Sequence, residues 1–237
     1  MEEITYPIRI NRYLFLKGFC SRREADRLIE KGQIKINGKT ALIGQKIDEK
    51  DEVEISKKVE QIAEDRVYLA FNKPRGIVTH DPQDDQESIE DILKYPKKVF
   101  PLGRLDKESE GLILLTNDGR ITNALLNPEE NHEKEYLVEV NHRLSIDAIK
   151  KIESGVIIDK YKTKPAKIKK VSPREFHIIL TEGKKHQIRR MCSALNLEVV
   201  SLKRIRVMSI KLGNLKSGQY REIKGAELKK FLSDLRF

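Results

Sequence analysis

The sequence predicts an α+β fold on a largely antiparallel sheet, preceded by a small domain of two helices followed by strands. Two helical patterns and a hairpin signal occupy residues 7–56, where basic residues are concentrated. Residues 57–66 are polar and are interpreted as a linker. From Val67 onward, strand patterns alternate with short helical patterns in mixed order. The expected boundaries are 1–60 for the small domain, 61–66 for the linker and 67–237 for the large domain.

The small domain is expected to contain a helix, a second helix, a hairpin and a further strand. The first helix lies in "IRINRYLFLKG" and ends at Gly18, and the second begins with a capping box formed by Ser21 and Glu24. The hairpin lies in "QIKINGKTA", which alternates in polarity and turns at Asn37-Gly38. The further strand is "DEVEI".

The large domain contains apolar residues spaced as in strands and as in helices. The predicted strands are "VYLAF" before an Asn-Lys-Pro turn, "EKEYLVEV", "EFHIIL" and one or two strands in "LKRIRVMSIKLG". The predicted helices are "GRITNALLN" up to Pro128, "SIDAIKKIESG" between Ser145 and Gly155, the basic "KKHQIRRMCSALNLEV" and the amphipathic "GAELKKFLSDL". This mixed order is typical of an α+β fold.

The composition favours a polyanionic partner. The chain has 237 residues and a net charge of +10, and a basic surface of this size gains affinity for phosphates through counterion release. The alternative is a basic protein without a special partner. Cys20 and Cys192 are too few and too far apart for a disulfide framework or a zinc site. The chain start lacks a signal-peptide pattern and the apolar runs are too short to cross a bilayer, so we expect a cytoplasmic monomer without membrane association.

Positive charge is concentrated in the small domain. Residues 7–39 contain nine basic and three acidic residues, whereas residues 48–54 are mainly acidic. A solvated helix face would explain any one of these bases, but the cluster favours contact with RNA or DNA. The residues singled out as nucleic-acid contacts are Arg9, Arg12, Arg22, Arg23, Arg27 and Lys35.

A charged connection in the large domain lies between two segments predicted to be buried strands. In "VFPLGRLDKESEGLILLTND", residues 99–118, the charged middle is longer than a simple hairpin turn, and Asp106 follows an apolar strand. A second segment, "EGKKHQIRRMC", places four basic residues around the start of a helix. If the two segments meet, Asp106 is a carboxylate in a basic cleft, where cations favour its ionised form. The alternative is an ordinary surface ion pair.

Several enzyme classes lack their motifs in this sequence. The five histidines have no metal-ligand spacing, and the zinc-deaminase signature and the G-x-S-x-G nucleophile motif are absent. No glycine-rich cofactor loop of the kind that a methyltransferase would need is visible. We therefore expect neither a metal nor a small-molecule cofactor.

The longer motifs resemble a known family. The segment "INRYLFLKGFCSRREADRLIEKGQIKINGK" resembles the S4 RNA-binding domain. The motifs "NKPRGIV", "FPLGRLDKESEGLILLTNDG", "EKEYLVEV" and "EGKKHQIRRMC" follow in an order similar to that of bacterial ribosomal-RNA pseudouridine synthases of the RsuA type, and "HEKEYLV" and "GRLDKESEGLI" are most similar to the large-subunit RluF kind. The resemblance implies a pseudouridine synthase fold with a mixed central sheet and a cleft across it.

The resemblance also implies roles for particular residues. Asp106 matches the essential aspartate, Tyr136 the tyrosine that packs against the target uracil, and Arg189 the arginine that pairs with the aspartate. Core packing is the alternative for Tyr136, and a solvated helix face is the alternative for Arg189. The residues expected to contact RNA around the same pocket are Arg104, Leu105, Lys107, Lys185, His186, Gln187, Ile188 and Arg190.

The implied reaction is the isomerisation of a uridine in ribosomal RNA, expected in the large subunit. The base is flipped out of its stack, and Asp106 acts either as a nucleophile at C1′ or as a base at C2′. A different class of function is a ribosome-assembly protein that binds RNA on the same scaffold without catalysis.

Overall fold

The first part of the chain contains short helices and two small sheets. The computed structural model describes residues 4–83 and 85–237; residues 1–3 of the predicted small domain and residue 84 lie outside it. The elements are β1 (Ile8–Arg9), α1 (Ile10–Leu16), α2 (Arg22–Glu30), β2 (Ile34–Ile36), β3 (Lys39–Thr40), β4 (Lys46–Ile47), β5 (Val53–Ile55) and α3 (Lys57–Glu64). Strand β2 pairs with β3 and β5, and β1 pairs with β4.

Local signals placed this part of the fold correctly. The Ser21 hydroxyl accepts a hydrogen bond from the Glu24 amide at 3.3 Å, which caps α2. Asn37 and Gly38 both adopt positive φ, 52° and 76°, as a two-residue hairpin turn requires. The short β1–β4 pair was not predicted, because two-residue strands carry too little pattern to recognise.

The segment interpreted as a linker is largely helical. Helix α3 covers most of residues 57–66, its Val59 is fully buried, and Ile62 packs against the core of the small domain. We correct the linker interpretation accordingly, since the expected boundary between residues 60 and 61 falls inside α3. The division of the chain into domains 1–60 and 67–237 otherwise stays a prediction.

A nine-stranded sheet organises the large domain. Its elements are β6 (Tyr68–Lys73), α4 (Ile89–Ile92), β7 (Phe100–Leu102), β8 (Glu110–Thr116), α5 (Ile121–Leu126), β9 (Lys134–Val140), α6 (Ile146–Ser154), β10 (Ile157–Ile158), β11 (Tyr161–Lys162), β12 (Lys167–Lys170), β13 (Glu175–Leu180), α7 (Gln187–Ser193), β14 (Val199–Val207), β15 (Ile210–Lys211), β16 (Tyr220–Glu222) and α8 (Gly225–Asp234). The strand order is β12-β13-β9-β14-β8-β6-β16, with β7 beside β8 and β15 beside β14; β10 and β11 form a separate hairpin. Among the described strand pairs, β14–β8 is parallel and the others are antiparallel, which confirms the mixed, mostly antiparallel sheet.

Helices cover both faces of this sheet. On β8, Ile113 and Leu115 belong to the core that contains residues of α6 and α7, whereas Leu112 and Leu114 belong to the core that contains residues of α5 and α8. A strand buried on both faces needs apolar residues at every position, which explains the uninterrupted run "LILL". No helix in residues 4–83 and 85–237 is long and apolar enough to cross a bilayer.

Strand β8 approaches β14 unusually closely at Gly111. Gly111 faces Arg204 in the parallel register and has a φ of 104°. A Cβ atom added to Gly111 would lie 2.3 Å from the Arg204 carbonyl oxygen and 2.7 Å from its nitrogen. Only glycine fits this position without moving one of the two strands.

The substitution Gly111→Ala tests this constraint. We expect it to lower the free energy of unfolding by about 2–4 kcal/mol, because it adds a backbone clash to an unfavourable φ. The control is Gly213→Ala, where φ is 59° but nothing lies within 4 Å of the added Cβ. Urea unfolding measures the free energy of unfolding of both variants. If Gly111→Ala lost no more of it than Gly213→Ala, the cost of the backbone clash, and with it the close approach of the strands, would be contradicted.

Candidate active site

Asp106 lies on a loop whose backbone is held by hydrogen bonds to the Thr79 side chain. The loop follows β7, of which only Leu102 is buried; Phe100 is exposed, so the expectation of a buried strand on this side is corrected. The Thr79 hydroxyl accepts from the Leu105 amide at 3.0 Å and donates to the Leu105 carbonyl at 2.7 Å. Leu105 is thereby held in the core, and Asp106 next to it keeps its carboxylate 35% exposed.

The two segments singled out in the sequence meet at this carboxylate. The Nδ1 atom of His186 lies 3.1 Å from the Asp106 Oδ2 atom. His186 adopts a left-handed φ of 51° immediately before α7. A non-glycine residue in this conformation is uncommon, and such residues cluster at functional sites. Lys184 and Lys185, which were expected inside the helix, precede it instead.

Arg189 does not form the expected ion pair with Asp106 within the described residues. Its guanidinium donates to the Val199 carbonyl at 3.1 Å and to the Glu108 carbonyl at 2.9 Å. Arg189 therefore ties the backbone just after Asp106 to the start of β14. Among the described residues the buried Nε of Arg189 has no hydrogen-bond partner, so the carbonyls do not occupy every donor and the pairing with Asp106 stays a prediction.

Two buried cations lie beneath the loop, and neither was recognised from the sequence. Lys73 has no exposed surface, and its ammonium donates to the carbonyls of Pro74 at 2.8 Å and Ile77 at 2.6 Å. Burial lowers the pKa of Lys73 to about 8, although the negative charges of Asp106 and nearby glutamates oppose the shift. The expected Asn-Lys-Pro turn is corrected, because β6 continues through Lys73.

Arg204 on β14 is the second buried cation. Its Nε donates to the Leu112 carbonyl at 2.6 Å, and NH1 donates to the Arg104 carbonyl at 3.3 Å. The guanidinium also lies 6.0 Å from the centre of the Tyr136 ring. Arg204 thus connects β8, the start of the Asp106 loop and the tyrosine on β9.

Tyr136 lies at the boundary between core and surface. It is 9% exposed, belongs to the apolar core on the α6–α7 face and is paired in the sheet with Ile178 and Arg204. The core-packing alternative fits these surroundings, and stacking of the ring on a uracil stays a prediction.

The other predicted pocket residues divide into buried and exposed groups. Gln187 is buried, donates to Glu182 at 2.6 Å and accepts from the Lys184 amide at 2.9 Å, so it has a structural role, and its RNA contact stays a prediction. Leu105 and Ile188 are core residues, and their RNA contacts likewise stay predictions. Arg190 bonds to the Asp159 carboxylate and the Lys185 carbonyl. The exposed residues of this set are Arg104, Lys107, Lys185 and His186.

The small domain presents a basic cleft of about 520 Å³, which we call the front cleft. Three predicted contacts line it together with one lysine that was not predicted: Arg9, Arg12, Arg22 and Lys46. Lys46 was missed because it precedes an acid-rich stretch and belongs to a two-residue strand. The remaining predicted contacts, Arg23, Arg27 and Lys35, are exposed but do not line this cleft.

Nucleophilic cysteine and metal chemistry have no support in the described residues. Burial raises the pKa of Cys20 and of Cys192 to about 12, so neither is a thiolate at neutral pH. No group of three His, Cys, Asp or Glu residues that could hold a metal ion occurs in residues 4–83 and 85–237.

Comparison with known proteins identifies the family. The family described as RNA pseudouridylate synthase matches residues 67–194, and the S4 domain matches residues 8–53. The chain belongs to the RNA pseudouridylate synthase family. It is 42% identical over 223 residues to the dual-specificity RNA pseudouridine synthase RluF of Escherichia coli K12, covering 93% of this chain and 77% of that protein.

Further relatives of this synthase support the same assignment. The ribosomal large subunit pseudouridine synthase B of Bacillus subtilis is 36% identical over 233 residues, covering 94% of each chain. A crystal structure of a pseudouridylate synthase superposes with a TM-score of 0.68 at 27% identity and covers 96% of this chain and 99% of that one. The predicted RsuA-type synthase with an S4 domain, similar to the RluF kind, is confirmed.

The buried lysine of this synthase makes its stability depend on pH. In the unfolded chain Lys73 loses its proton near pH 10.4, whereas in the folded protein it does so near pH 8. Between these values the unfolded chain binds the additional proton, so the folded state is stabilised as the pH rises. We expect the free energy of unfolding, relative to Lys73→Met, to increase by about 2 kcal/mol from pH 8 to pH 10. The measurement is urea unfolding of both proteins across this pH range. If their free energies of unfolding changed equally with pH, the prediction would be contradicted.

Proposed function

We propose that this synthase converts a uridine of ribosomal RNA to pseudouridine and that Asp106 is its catalytic residue. The observation that carries the proposal is a partly exposed carboxylate, held on a fixed loop at the meeting point of the two basic segments. The name of the B. subtilis relative supports the large subunit as the source of the RNA. We further propose that the protein acts in the cytoplasm as a monomer.

The proposed reaction rearranges one nucleotide without a co-reactant. The N1–C1′ bond breaks, the uracil turns, a C5–C1′ bond forms, and the C5 proton is lost while N1 gains a proton. Asp106 either attacks C1′ or removes a proton from C2′, and the geometry is compatible with both. The uridine must leave its stack to reach a carboxylate on a loop, and base flipping provides this access.

The surrounding residues position Asp106 for this chemistry. His186 contacts the carboxylate, Arg189 holds the backbone that follows it, and Thr79 holds the backbone that precedes it. Fixed placement lowers the entropic cost of reaching the reactive geometry. Tyr136 is proposed to pack its ring against the flipped uracil.

The exposed cations are proposed to hold the RNA backbone. Arg104 and Lys107 are exposed close to Asp106 in sequence, Lys185 is exposed next to His186, and the front cleft adds a second group of cations. Phosphate contacts of this kind set the position and orientation of a nucleic acid without reading its sequence.

The substitution Asp106→Asn tests the catalytic assignment. We expect turnover to fall by at least about 10³-fold while the RNA dissociation constant changes by less than about threefold, because the group acts in the transition state. Tritium release from C5-labelled uridine in ribosomal RNA measures turnover. The control is Glu108→Gln, an exposed carboxylate two residues away that bonds to Arg75, which should retain activity. Substantial pseudouridine formation by Asp106→Asn would remove Asp106 from the mechanism, and no tritium release by the unmodified protein would favour a non-catalytic RNA-binding role.

The double substitution Arg22→Gln and Arg23→Gln tests RNA binding by the small domain. We expect affinity to fall by about tenfold at moderate salt and the slope of log K against log salt to decrease by about two, with little change in kcat. The control is Lys229→Gln with Lys230→Gln on α8, which removes the same charge from exposed helix positions. Equal salt slopes for the two double variants would exclude the small domain from the RNA interface.

A further inference from the structure

A buried polar network joins the small domain to the catalytic domain. The Arg120 guanidinium donates to the Gly18 carbonyl at 2.7 Å. The Arg66 guanidinium donates to the same carbonyl at 2.7 Å and to the Phe19 carbonyl at 2.8 Å. We call the network of Arg66, Tyr68, Asp118 and Arg120 with these two carbonyls the interdomain latch. Gly18 and Phe19 follow the C-terminal end of α1, so the arginines hold the chain just beyond that helix.

Asp118 orients the donors of the latch. Its carboxylate accepts from Arg120 Nε at 2.8 Å, from Arg120 NH2 at 2.6 Å and from the Tyr68 hydroxyl at 2.6 Å. Burial alone would raise the pKa of Asp118, but the hydrogen bonds from Arg120 and Tyr68 outweigh it and lower the pKa. A buried network whose members are paired in this way is rigid and specifies one arrangement of its parts.

A close backbone approach supports the same contact. A Cβ atom added to Gly119 would lie 3.1 Å from both Cβ and Oγ of Ser21. Ser21 is the N-cap of α2, and the next residue, Arg22, lines the front cleft. The latch and Gly119 therefore contact the turn between α1 and α2, which leads directly into the front cleft at Arg22.

Strand β8 connects the latch to the active site. The Asp106 loop precedes β8, and Asp118, Gly119 and Arg120 follow it. Its seven residues span about 20 Å and are buried between β14 and β6 in the middle of the sheet. One rigid strand thus separates the catalytic carboxylate from the point where the small domain is held.

We propose that the latch determines which uridine is isomerised, by fixing the front cleft at a set distance and direction from Asp106. This proposal rests on the proposed function. The substrate it selects is a folded RNA whose backbone reaches the front cleft while one uridine reaches Asp106. Arg66 and Gly119 are specificity-determining positioning residues, since neither contacts the reacting nucleotide. Two binding surfaces joined rigidly favour one register of the RNA, whereas a flexible connection allows many.

The test compares two variants that open the latch in different ways. Arg66→Ala removes two of the three hydrogen bonds that the latch makes to the small domain, and Gly119→Val inserts a side chain against Ser21. Arg66→Lys keeps a donor and should restore part of the effect. The control is Arg221→Ala, which removes a partly buried arginine paired with Glu227 inside the catalytic domain.

Two measurements are made on each full-length protein. Amide ¹⁵N relaxation reports whether the two domains tumble together; we expect equal correlation times in the unmodified protein and the control, and faster tumbling of the small domain in the latch variants. Pseudouridine mapping on ribosomal RNA reports selectivity. In the latch variants we expect KM to rise by about tenfold, kcat to change by less than about threefold, and selectivity for the main site to fall by about tenfold.

Different results overturn different parts of the proposal. Domains that tumble together in both latch variants would show that the latch does not hold them. Uncoupled domains with unchanged KM and site selectivity would show that their orientation does not choose the uridine. An unmodified protein that modifies no uridine would overturn the proposed function and the selectivity with it, while its relaxation data would still show whether the domains are coupled.

Discussion

The close parallel approach of β8 and β14 is the constraint on which the rest of the structure depends. Gly111 leaves no side chain between the strands, so Arg204 can pass from β14 to the Leu112 carbonyl and reach the Arg104 carbonyl. The strand that follows Asp106 is therefore fixed at its first residues. A side chain at Gly111 would displace the base of the loop as well as the sheet.

The buried Lys73 beneath the loop lowers the stability of the fold and places a fixed positive charge there. A buried ammonium is unfavourable, and the lowered pKa of Lys73 reflects that cost. Its two backbone hydrogen bonds offset part of it and hold the chain from Pro74 to Ile77 under the Asp106 loop. Such a lysine contributes a positive charge that solvent screens only weakly, close to the loop where RNA is proposed to bind.

The sequence predicted elements with strong local signals and missed contacts that only the fold creates. Ser145 caps α6 and Gly155 ends it, as expected, because capping depends on neighbours in sequence. The true partners of Arg189 could not be predicted, since the Val199 and Glu108 carbonyls become adjacent only when α7 packs beside β14 and the Asp106 loop. The resemblance to the family assigned Arg189 to the site but did not indicate its hydrogen-bond partners. The hydrogen bonds that Gln187 makes inside the protein were missed for the same reason.

The position of the latch has a consequence for how binding energy is used. Phosphate contacts in the front cleft lie far from the reacting bond and would by themselves only tighten binding. When the cleft is fixed to β8, the same contacts also restrict which nucleotide of the bound RNA lies at Asp106, so they raise kcat/KM for one uridine mainly through KM. A remote basic surface can then raise the rate at one uridine relative to its neighbours. This effect requires both β8 and the latch to be rigid. If either were flexible, the front cleft would still bind RNA but would not select one uridine.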